Sequence, residues 1–351
     1  MVYSVEMNKT DLKSLDLKEL EEFLVSLGEK KYRAKQLYEW LHVKLAKDFE
    51  EMSNLPKSLK ELLVEVSFIT NLTVLDKLES KGGETTKFLF GLSDNRVLES
   101  VLMKYHHGNS VCISSQVGCK MGCKFCASTI GGFERNLTPA EMLDQIYQIQ
   151  RISGERVSNV VVMGTGEPLD NYDNLLAFIR ILTDENGLHI SQRNITVSTC
   201  GLTPKMKALA HEKLQITLAL SLHASNNEVR QELMPVATTF TYDSVMEACK
   251  YYYEITGRRI TFEYSMVEGV NDFESHAREL AGRIKGLNCH VNLIPVNPIK
   301  ERDYRQSGAK NIQNFKNILE KYGINVTIRR EMGTDINAAC GQLRKSYMEK
   351  P

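Results

Sequence analysis

The sequence lacks the features that would tie the chain to a membrane or to the cell exterior. No window approaches the roughly 20 apolar residues that a membrane span requires. Residues 1–6 contain no basic region followed by an apolar run, so no secretory leader is predicted. We therefore expect the protein to remain in the cytoplasm, where thiols are mostly reduced.

The sequence also lacks net charge, because 44 lysine and arginine residues balance 44 aspartate and glutamate residues. A neutral chain exerts no overall attraction on nucleic acid. A nucleic-acid partner would therefore require basic residues gathered on one face. One basic group lies at residues 30–35, and a solvated helix end explains it at least as well as a nucleic-acid contact does.

Disulfide bonds are neither needed nor expected as structural supports. A chain of 351 residues can bury a full hydrophobic core, and its length predicts one large domain and one smaller domain. In a reducing compartment, its eight cysteines are better explained as metal ligands or catalytic groups.

Helical periodicity is evident near the N-terminus. Leucines recur at helical spacing in residues 17–27, Asp16 and Glu19 match a capping box, and Gly28 provides a helix end. A second helix is predicted around residues 34–41.

Strand-like and helical patterns alternate through the rest of the chain. Residues 72–104 are β-like, with a hairpin turn at Gly82 and Gly83. Later strands are predicted at residues 111–114, 159–163, 195–198, 216–222, 260–264 and 290–295. Helices are predicted between them at residues 139–151, 172–182, 204–211, 242–255 and 275–284.

Six strand–helix repeats predict an α/β fold with a parallel sheet, either open or closed into a barrel. Residues 160–163 are apolar without alternation, as in a parallel strand buried on both faces. A full eight-unit barrel needs about 250 residues, so six units favour a partial (β/α)6 barrel. Residues 325–328 are a candidate for one more strand.

The most specific motif places Cys119, Cys123 and Cys126 at C-x3-C-x2-C spacing after the first predicted barrel strand. Three thiolates from one short loop can bind three irons of a cubane and leave the fourth iron open for a small molecule. A structural zinc site is one alternative, but it requires four ligands, and no fourth Cys or His lies at suitable spacing. A redox C-x-x-C pair is the other alternative.

Polar residues or glycines follow several of the predicted strands. The carboxyl ends of parallel strands converge on one rim, so these residues are expected to share a site. Each of them alone is equally well explained as a turn residue. They are Gly166, Glu167, Ser198, Ser221, His223 and Asn297.

Several motifs resemble those of the RlmN/Cfr family, which are radical S-adenosylmethionine (SAM) RNA adenine methyltransferases. The motifs lie at residues 114–119, 166–169, 221–223, 293–298 and 338–343. The resemblance covers nearly the whole chain and is closer to the RlmN type. It implies an N-terminal helical RNA-binding accessory domain (1–80), a β-rich connecting segment (81–104), a radical SAM core barrel (105–332) and a C-terminal extension (333–351).

The resemblance implies two cofactors. A [4Fe–4S] cluster would be held by Cys119, Cys123 and Cys126, and its open iron would bind the amino and carboxylate groups of SAM, of which two molecules are used per turnover. Position in the family motifs implies the following SAM-binding residues: Gly166, Glu167, Ser198, Ser221, Leu222, His223 and Asn297.

The resemblance also implies three catalytic residues. Cys340 would carry the methyl group as S-methylcysteine, Glu99 would accept a proton from the base, and Cys112 would release the product by forming a transient disulfide with Cys340. Without the family, Cys112 and Glu99 are explained as strand residues and Cys340 as an idle thiol. Three other cysteines have no implied role and are expected to pack in the core: Cys200, Cys249 and Cys289.

The implied substrate is adenosine 2503 of 23S rRNA, methylated at C2, with adenosine 37 of tRNA as a further target. Because C2 lies between two ring nitrogens, it is too electron-poor to attack the methyl group of SAM and requires a radical route. Pro168 matches the C2 pattern, whereas Cfr-type enzymes, which methylate C8, tend to have alanine there. Thr165 departs from the methionine that many family members have.

The family further implies a low-potential electron donor, a flavodoxin or a ferredoxin, and a monomeric protein. Two alternatives remain open on the sequence. One is a different radical SAM enzyme, such as a glycyl-radical activase, in which Cys340 and Cys112 would have no role. The other is a non-enzymatic iron–sulfur or zinc protein that binds RNA.

Overall fold

A ten-stranded sheet, in which each strand pairs with its neighbours in chain order, forms the centre of the molecule. The computed structural model describes residues 9–106 and 108–343. The strands are β1 (Thr73–Glu79), β2 (Thr85–Gly91), β3 (Val97–Tyr105), β4 (Gly108–Cys112), β5 (Val157–Val162), β6 (Ile195–Thr199), β7 (Thr217–Ser221), β8 (Ile260–Met266), β9 (Cys289–Pro295) and β10 (Asn325–Ile328). Strands β1 to β4 are antiparallel, and β4 to β10 are parallel.

Helices precede the sheet and connect its parallel strands. In the described residues they are α1 (Leu17–Ser26), α2 (Tyr32–His42), α3 (Lys57–Val66), α4 (Pro139–Ser153), α5 (Tyr172–Thr183), α6 (Thr203–Ala210), α7 (Asn227–Leu233), α8 (Tyr242–Thr256), α9 (Glu274–Ile284) and α10 (Ala309–Lys321). Short 3-10 turns lie at Leu12–Ser14, Ala127–Thr129, Pro168–Asn171, Gln192–Asn194, Pro235–Thr238 and Thr334–Ile336. Two-residue strand pairs join Thr10–Asp11 to Ser67–Phe68 and Gln116–Val117 to Arg135–Asn136.

The α/β architecture predicted from the sequence is confirmed. All six predicted parallel strands are present, and residues 325–328 add a seventh as β10. Within the described residues β1 and β10 do not pair with each other, which fits a partial barrel rather than a closed one. Helices α3, α7 and α10 were not predicted, and α7 has only seven residues, too few to show a clear helical period.

Local sequence signals explain where the helices begin and end. The predicted capping box of α1 is present, because Asp16 accepts from the backbone of Glu19 and the Glu19 side chain reaches back to Asp16. Helix α4 has the same device, with Thr138 as its N-cap and a proline at its first position. It ends at Gly154, whose left-handed backbone (φ 67°) suits glycine. Helix α4 is thereby fixed at both ends between β4 and β5.

A buried ion pair attaches the N-terminal region to the barrel. The Lys13 ammonium lies 2.6 Å from a carboxylate oxygen of Asp144 on α4, and both side chains are fully buried. Lys13 also donates to the carbonyl of Thr70, and the second oxygen of Asp144 accepts from the backbone N–H of Leu72 at 2.7 Å. Because all of these polar groups are paired, the contact fixes the chain before β1 against α4.

The proposed division of the chain into segments remains a prediction. Strand β1, placed in the segment 1–80, pairs with β2, so the sheet extends across the boundary expected near residue 80. Residues 1–8 and the part of the C-terminal extension beyond residue 343 lie outside the described residues. No helix among the described residues has the length and apolar character needed to cross a bilayer.

Replacing Lys13 with methionine is expected to lower the free energy of unfolding by about 3–5 kcal/mol, because the substitution leaves the Asp144 carboxylate buried without its cation. Urea denaturation measures the change. Lys18→Met is the control, since the exposed Lys18–Glu22 pair contributes less than about 1 kcal/mol. Equal losses in the two variants would contradict the assignment.

Candidate active site

A cavity opens where the parallel strands of the sheet end. Its wall contains the cysteine loop that follows β4 and residues that lie at or beyond the ends of β5, β6, β7 and β9. The structure thus brings together most of the residues expected at the strand ends. The sequence-predicted residues that line it are Cys119, Cys123, Cys126, Gly166, Glu167, Ser198, Ser221, His223, Asn297 and Cys340.

The cysteine loop is held in a tight path by its glycines. Gly118 has a φ of 73°, and a Cβ atom there would lie 1.8 Å from the carbonyl oxygen of Gly132. Any other residue at position 118 would therefore clash with backbone. The two-residue pairing of Gln116–Val117 with Arg135–Asn136 closes the loop at its base.

The three thiols of this loop face a common space. Burial raises the pKa of each of them, to about 12 for Cys119. Cys126 raises the pKa of Cys119 further, and both raise that of Cys123. Bound iron would overcome this unfavourable ionisation of the buried thiols, because a thiol that coordinates a metal is deprotonated outright.

The loop fits a cubane cluster. Within the described residues, no three His, Cys, Asp or Glu side chains converge closely enough to hold a single metal ion. A cubane cluster does not require the three thiolates to converge on one metal ion, because each cysteine binds a different iron and the sulfur atoms stay further apart. Three buried thiols on one cavity wall are the donor set that such a cluster requires.

A buried carboxylate lies beside the loop in the cavity wall. Glu167 accepts hydrogen bonds from the backbone N–H groups of Leu169 at 3.0 Å and Cys200 at 2.8 Å. Burial raises its pKa, and the hydrogen bonds from Cys200 oppose that shift. Gly166 has a φ of 111°, and a Cβ there would lie 2.6 Å from Cβ of Gln116. The glycine therefore lets the backbone pass close to the loop while the carboxylate retains acceptor capacity for an ammonium group.

Serine and histidine side chains line the next part of the cavity. The hydroxyls of Ser198 on β6 and Ser221 on β7 are 3.2 Å apart. His223 accepts the backbone N–H of Ser265 at Nδ1, 2.9 Å away, and burial lowers its pKa to about 3, so it is neutral. Leu222 points elsewhere, because its side chain is fully buried and is not part of the cavity wall.

Residues 333–343, here called the C-terminal segment, cover one side of the cavity. The segment is attached through main-chain carbonyls, which accept hydrogen bonds of 2.7–3.2 Å in the donor–acceptor pairs Lys87–Asn337, Asn297–Cys340, Ala127–Gly341 and Ser128–Leu343. Cys340 itself is exposed. The hydrogen bond from the Asn297 side chain to the Cys340 carbonyl brings these two predicted residues into direct contact.

Cys112 and Cys340 both line a second cavity, which adjoins the first. Cys112 lies opposite Val101 on β3, which lies opposite Lys87 on β2, so the three side chains share one face of the sheet. Burial raises the pKa of Cys112 to about 12, the Cys340 thiol raises it further, and Arg329 opposes the shift. Cys340 and Cys126 of the cluster loop both line this second cavity with Cys112.

Glu99 lies two residues before Val101 on β3 and so shares its face. Its carboxylate is 3.1 Å from the Lys87 ammonium, and both side chains are nearly fully buried. With Thr165 and Ser128 it lines a third cavity, to which Cys340 does not contribute. Ser128 lines all three cavities and is therefore common to the parts of the site that contain Glu99 and Cys340.

Two charged residues at the site were not identified from the sequence. Arg329 lines the first and second cavities, and its guanidinium lies 3.6 Å from Glu263, which lines the first. Arg329 directly follows β10. Counting residues 325–328 as a seventh parallel strand would have identified it, because residues that follow parallel strands share one rim. Glu263 lies inside β8, where the sequence offers no signal that separates it from an ordinary strand residue.

Comparisons with known proteins agree with this geometry. Residues 10–69 match the model of the ribosomal RNA large subunit methyltransferase N-terminal domain, and residues 113–281 match the radical SAM superfamily. The chain is 65% identical over 342 residues to a protein of Lachnoclostridium phytofermentans, covering 97% of this chain and 96% of that protein. That protein carries the name probable dual-specificity RNA methyltransferase RlmN. The chain belongs to the RlmN family.

Further relatives and a solved structure extend this result. An RlmN-family protein of Lachnospira eligens is 62% identical over 340 residues, covering 97% of each chain. The crystal structure of a radical SAM methyltransferase from Sphaerobacter thermophilus superposes with a TM-score of 0.92 at 43% identity, covering 96% of this chain and 99% of that one. The resemblance predicted from the sequence is confirmed. Membership of the radical SAM superfamily implies a [4Fe–4S] cluster and SAM.

Replacing Cys126 with alanine is expected to abolish loading of the cluster, because the two remaining thiolates cannot hold the cubane. Iron and sulfide content after anaerobic reconstitution measures the effect. Cys249→Ala is the matched control, since Cys249 is a buried cysteine of the core that does not line the cavity. Full iron content in both variants would refute the assignment of the cluster loop.

Proposed function

We propose that this protein is a radical SAM methyltransferase that methylates C2 of adenosine 2503 in 23S rRNA and of adenosine 37 in tRNA. The observation that carries the proposal is the position of Cys340. It lines one cavity with the three cysteines of the cluster loop and a second cavity with Cys112. A methyl group carried on the Cys340 thiol would face the cavity proposed for the cluster and SAM, and the thiol would also be accessible to Cys112.

The first cavity is suited to both cofactors. Cys119, Cys123 and Cys126 would hold the cluster, and Glu167 would accept the ammonium group of SAM. The hydroxyls of Ser198 and Ser221 offer further polar contacts, as do neutral His223 and the amide of Asn297, and the backbone beside Leu222 completes the set predicted from the family. When bound, the cluster and two molecules of SAM supply a methyl group, the radical that takes one hydrogen atom from it, and an acceptor for one electron.

The chain supplies the thiols and the base for the remaining steps. The methylene carbon on Cys340 bonds to C2 of adenine, and Glu99 takes the proton from C2. The Cys112 thiolate then attacks the sulfur of Cys340, so the disulfide forms as the carbon–sulfur bond breaks. A proton adds to the released methylene carbon and one electron leaves, which together balance the two protons lost from C2 and from the Cys112 thiol.

The positions of Glu99 and Cys340 also define where the adenine base must bind. Glu99 is paired with Lys87 and lines the third cavity, whereas Cys340 lines the first and second. An adenine that reaches both residues must therefore occupy the space between the second and third cavities. The base can enter only after leaving its stack in the RNA, at a cost of a few kcal/mol.

The N-terminal region is the proposed RNA-binding part. Residues 10–69 match a domain model named for a ribosomal RNA methyltransferase. Helix α2 begins beside the basic residues noted at 30–35, where Arg33 and Lys31 are partly or largely exposed. Lys31 is paired with Glu21 at 2.8 Å. Lys30, Arg33 and Lys35 therefore supply the local positive charge that a chain of zero net charge needs for contact with RNA.

Selectivity for C2 over C8 is proposed on the basis of Pro168, which lines the cavity directly after Glu167. Thr165, in place of the usual methionine, is buried beside Ser128 at 3.4 Å between the hydroxyls. We further propose that the protein acts as a monomer in the cytoplasm and receives electrons from a flavodoxin or a ferredoxin.

Mass spectrometry of nucleosides from rRNA and tRNA tests the function. Cells that lack the gene are expected to lose 2-methyladenosine from 23S rRNA and from tRNA, and to regain it when the gene is restored. Restoration with Cys340→Ala should fail, because the methyl group has no carrier. Methylation at C8, or full methylation by the Cys340→Ala variant, would overturn the proposal.

Replacing Cys112 with alanine is expected to leave RNA covalently attached to Cys340, since no thiol can then displace it. Denaturing purification from cells, nuclease digestion and peptide mass spectrometry detect the adduct. Cys289→Ala, at a core cysteine, is the matched control and should carry no RNA. A Cys112→Ala protein free of nucleic acid would rule out the assigned release step.

A further inference from the structure

Arg230 on α7 is a buried cation without an anion. Its side chain is fully buried, and within the described residues it forms no ion pair with a carboxylate. Its Nη1 donates to the carbonyl of Phe240 at 2.9 Å and its Nη2 to the carbonyl of Cys200. Its Nε has no hydrogen-bond partner.

Such an arrangement is costly unless a negative charge lies nearby. An isolated cation in a protein interior loses several kcal/mol of hydration, which neutral carbonyls only partly replace. Burial lowers the pKa of Arg230, and the thiols of Cys200 and Cys123 are the main groups that oppose the shift. Arginine does not lose its proton in proteins, so the charge remains and must be balanced by its surroundings.

The surroundings of Arg230 are those of the cluster loop. At the end of α7, the Leu233 carbonyl accepts the backbone N–H of Lys124 at 2.9 Å, inside the cysteine loop. Pro235 packs against Gly122, with its Cγ 3.5 Å from where a Cβ of Gly122 would lie. Cys200, whose carbonyl accepts from Arg230, lines the same cavity as Cys119, Cys123 and Cys126. The helix that carries Arg230 is thus packed directly on the loop that would hold the cluster.

We propose that Arg230 is the buried counter-cation of the [4Fe–4S] cluster and makes the cluster easier to reduce. Three thiolates give the bound cluster a net negative charge, and reduction by one electron adds another. A fixed positive charge stabilises the reduced form more than the oxidised form, because the Coulomb energy grows with the charge of the partner. The proposal rests on the presence of the cluster and not on RNA methylation, so the two can fail separately.

The first test is a redox titration of anaerobically reconstituted protein with dithionite, followed by electron paramagnetic resonance. In Arg230→Gln, the ratio of reduced to oxidised cluster at a fixed potential is expected to fall at least tenfold, which corresponds to a shift of about 59 mV toward more negative potential. Arg230→Lys, which keeps the charge, should stay within about threefold of the wild type. Arg230→Gln protein with a full cluster and an unchanged titration would overturn the proposal.

Arg151→Gln is the control for loss of an arginine away from the site, although Arg151 is half-buried where Arg230 is fully buried. Arg151 also donates to a backbone carbonyl, that of Leu45, and its Nε is likewise buried without a partner. It lies at the end of α4 that precedes β5, which is the opposite end of the barrel from the site. Its replacement should leave the redox titration unchanged, and a shift equal to that of Arg230→Gln would refute the specific role.

Thermal unfolding gives a second measurement that does not require redox activity. If the cluster balances Arg230, then Arg230→Gln should lower the melting temperature of the reconstituted protein more than that of the iron-free protein. Equal decreases in melting temperature for the reconstituted and the iron-free protein would show that Arg230 acts only as a structural hydrogen-bond donor, which would contradict the proposal. Should Arg230→Gln bind no iron while its iron-free form is as stable as the wild type and Arg230→Lys loads fully, the charge is needed for loading, which supports the proposal. Failure to load together with an equally destabilised iron-free form would contradict it.

Discussion

The parallel arrangement of β4 to β10 is the constraint on which the site depends. Because these strands pair in chain order and point the same way, the residues that follow them collect at one rim. The cysteine loop after β4, Glu167 after β5, Ser198 on β6, Ser221 on β7 and Asn297 after β9 are distant in sequence. No local interaction could gather them. The sheet brings them to one cavity, and the turn glycines allow the chain to pass close enough for them to meet.

The antiparallel strands β1 to β3 add a second surface to this rim. They extend the sheet beyond β4 and present Lys87, Glu99 and Val101 on the face that also carries Cys112. The C-terminal segment packs on this face through contacts with Val101. The barrel strands provide a place for the cofactors and carry Cys112, the proposed resolving thiol, at the end of β4, while the added strands carry Glu99, the proposed proton acceptor. This division explains why the site consists of adjoining cavities rather than a single one.

Much of this arrangement could be predicted from the sequence, and the failures have physical causes. The alternation of apolar runs and helical stretches predicted the parallel strands, because buried parallel strands and their crossover helices have distinct periods. The cysteine spacing and the strand-end residues predicted the main cavity. The sequence could not identify Arg230 or Glu263, since buried charges carry no periodic signal and their meaning depends on three-dimensional neighbours, whereas Arg329 was missed because residues 325–328 were not counted as a strand. Nor could it show that Glu99 and Cys340 line different cavities, or that the side chain of Leu222 is not part of the cavity wall.

The way in which the C-terminal segment is attached has a consequence for the whole catalytic cycle. Main-chain carbonyls of this segment accept hydrogen bonds from the barrel, and the side chains of Asp335 and Gln342 add two more contacts. The Cys340 side chain, by contrast, is exposed. Main-chain carbonyls are the same whatever side chain they precede. The proposed changes at the Cys340 sulfur, from a free thiol to alkylated and nucleotide-bearing forms, would therefore leave these carbonyl contacts in place. One docking geometry of the segment would in this way serve chemically different states of the same sulfur.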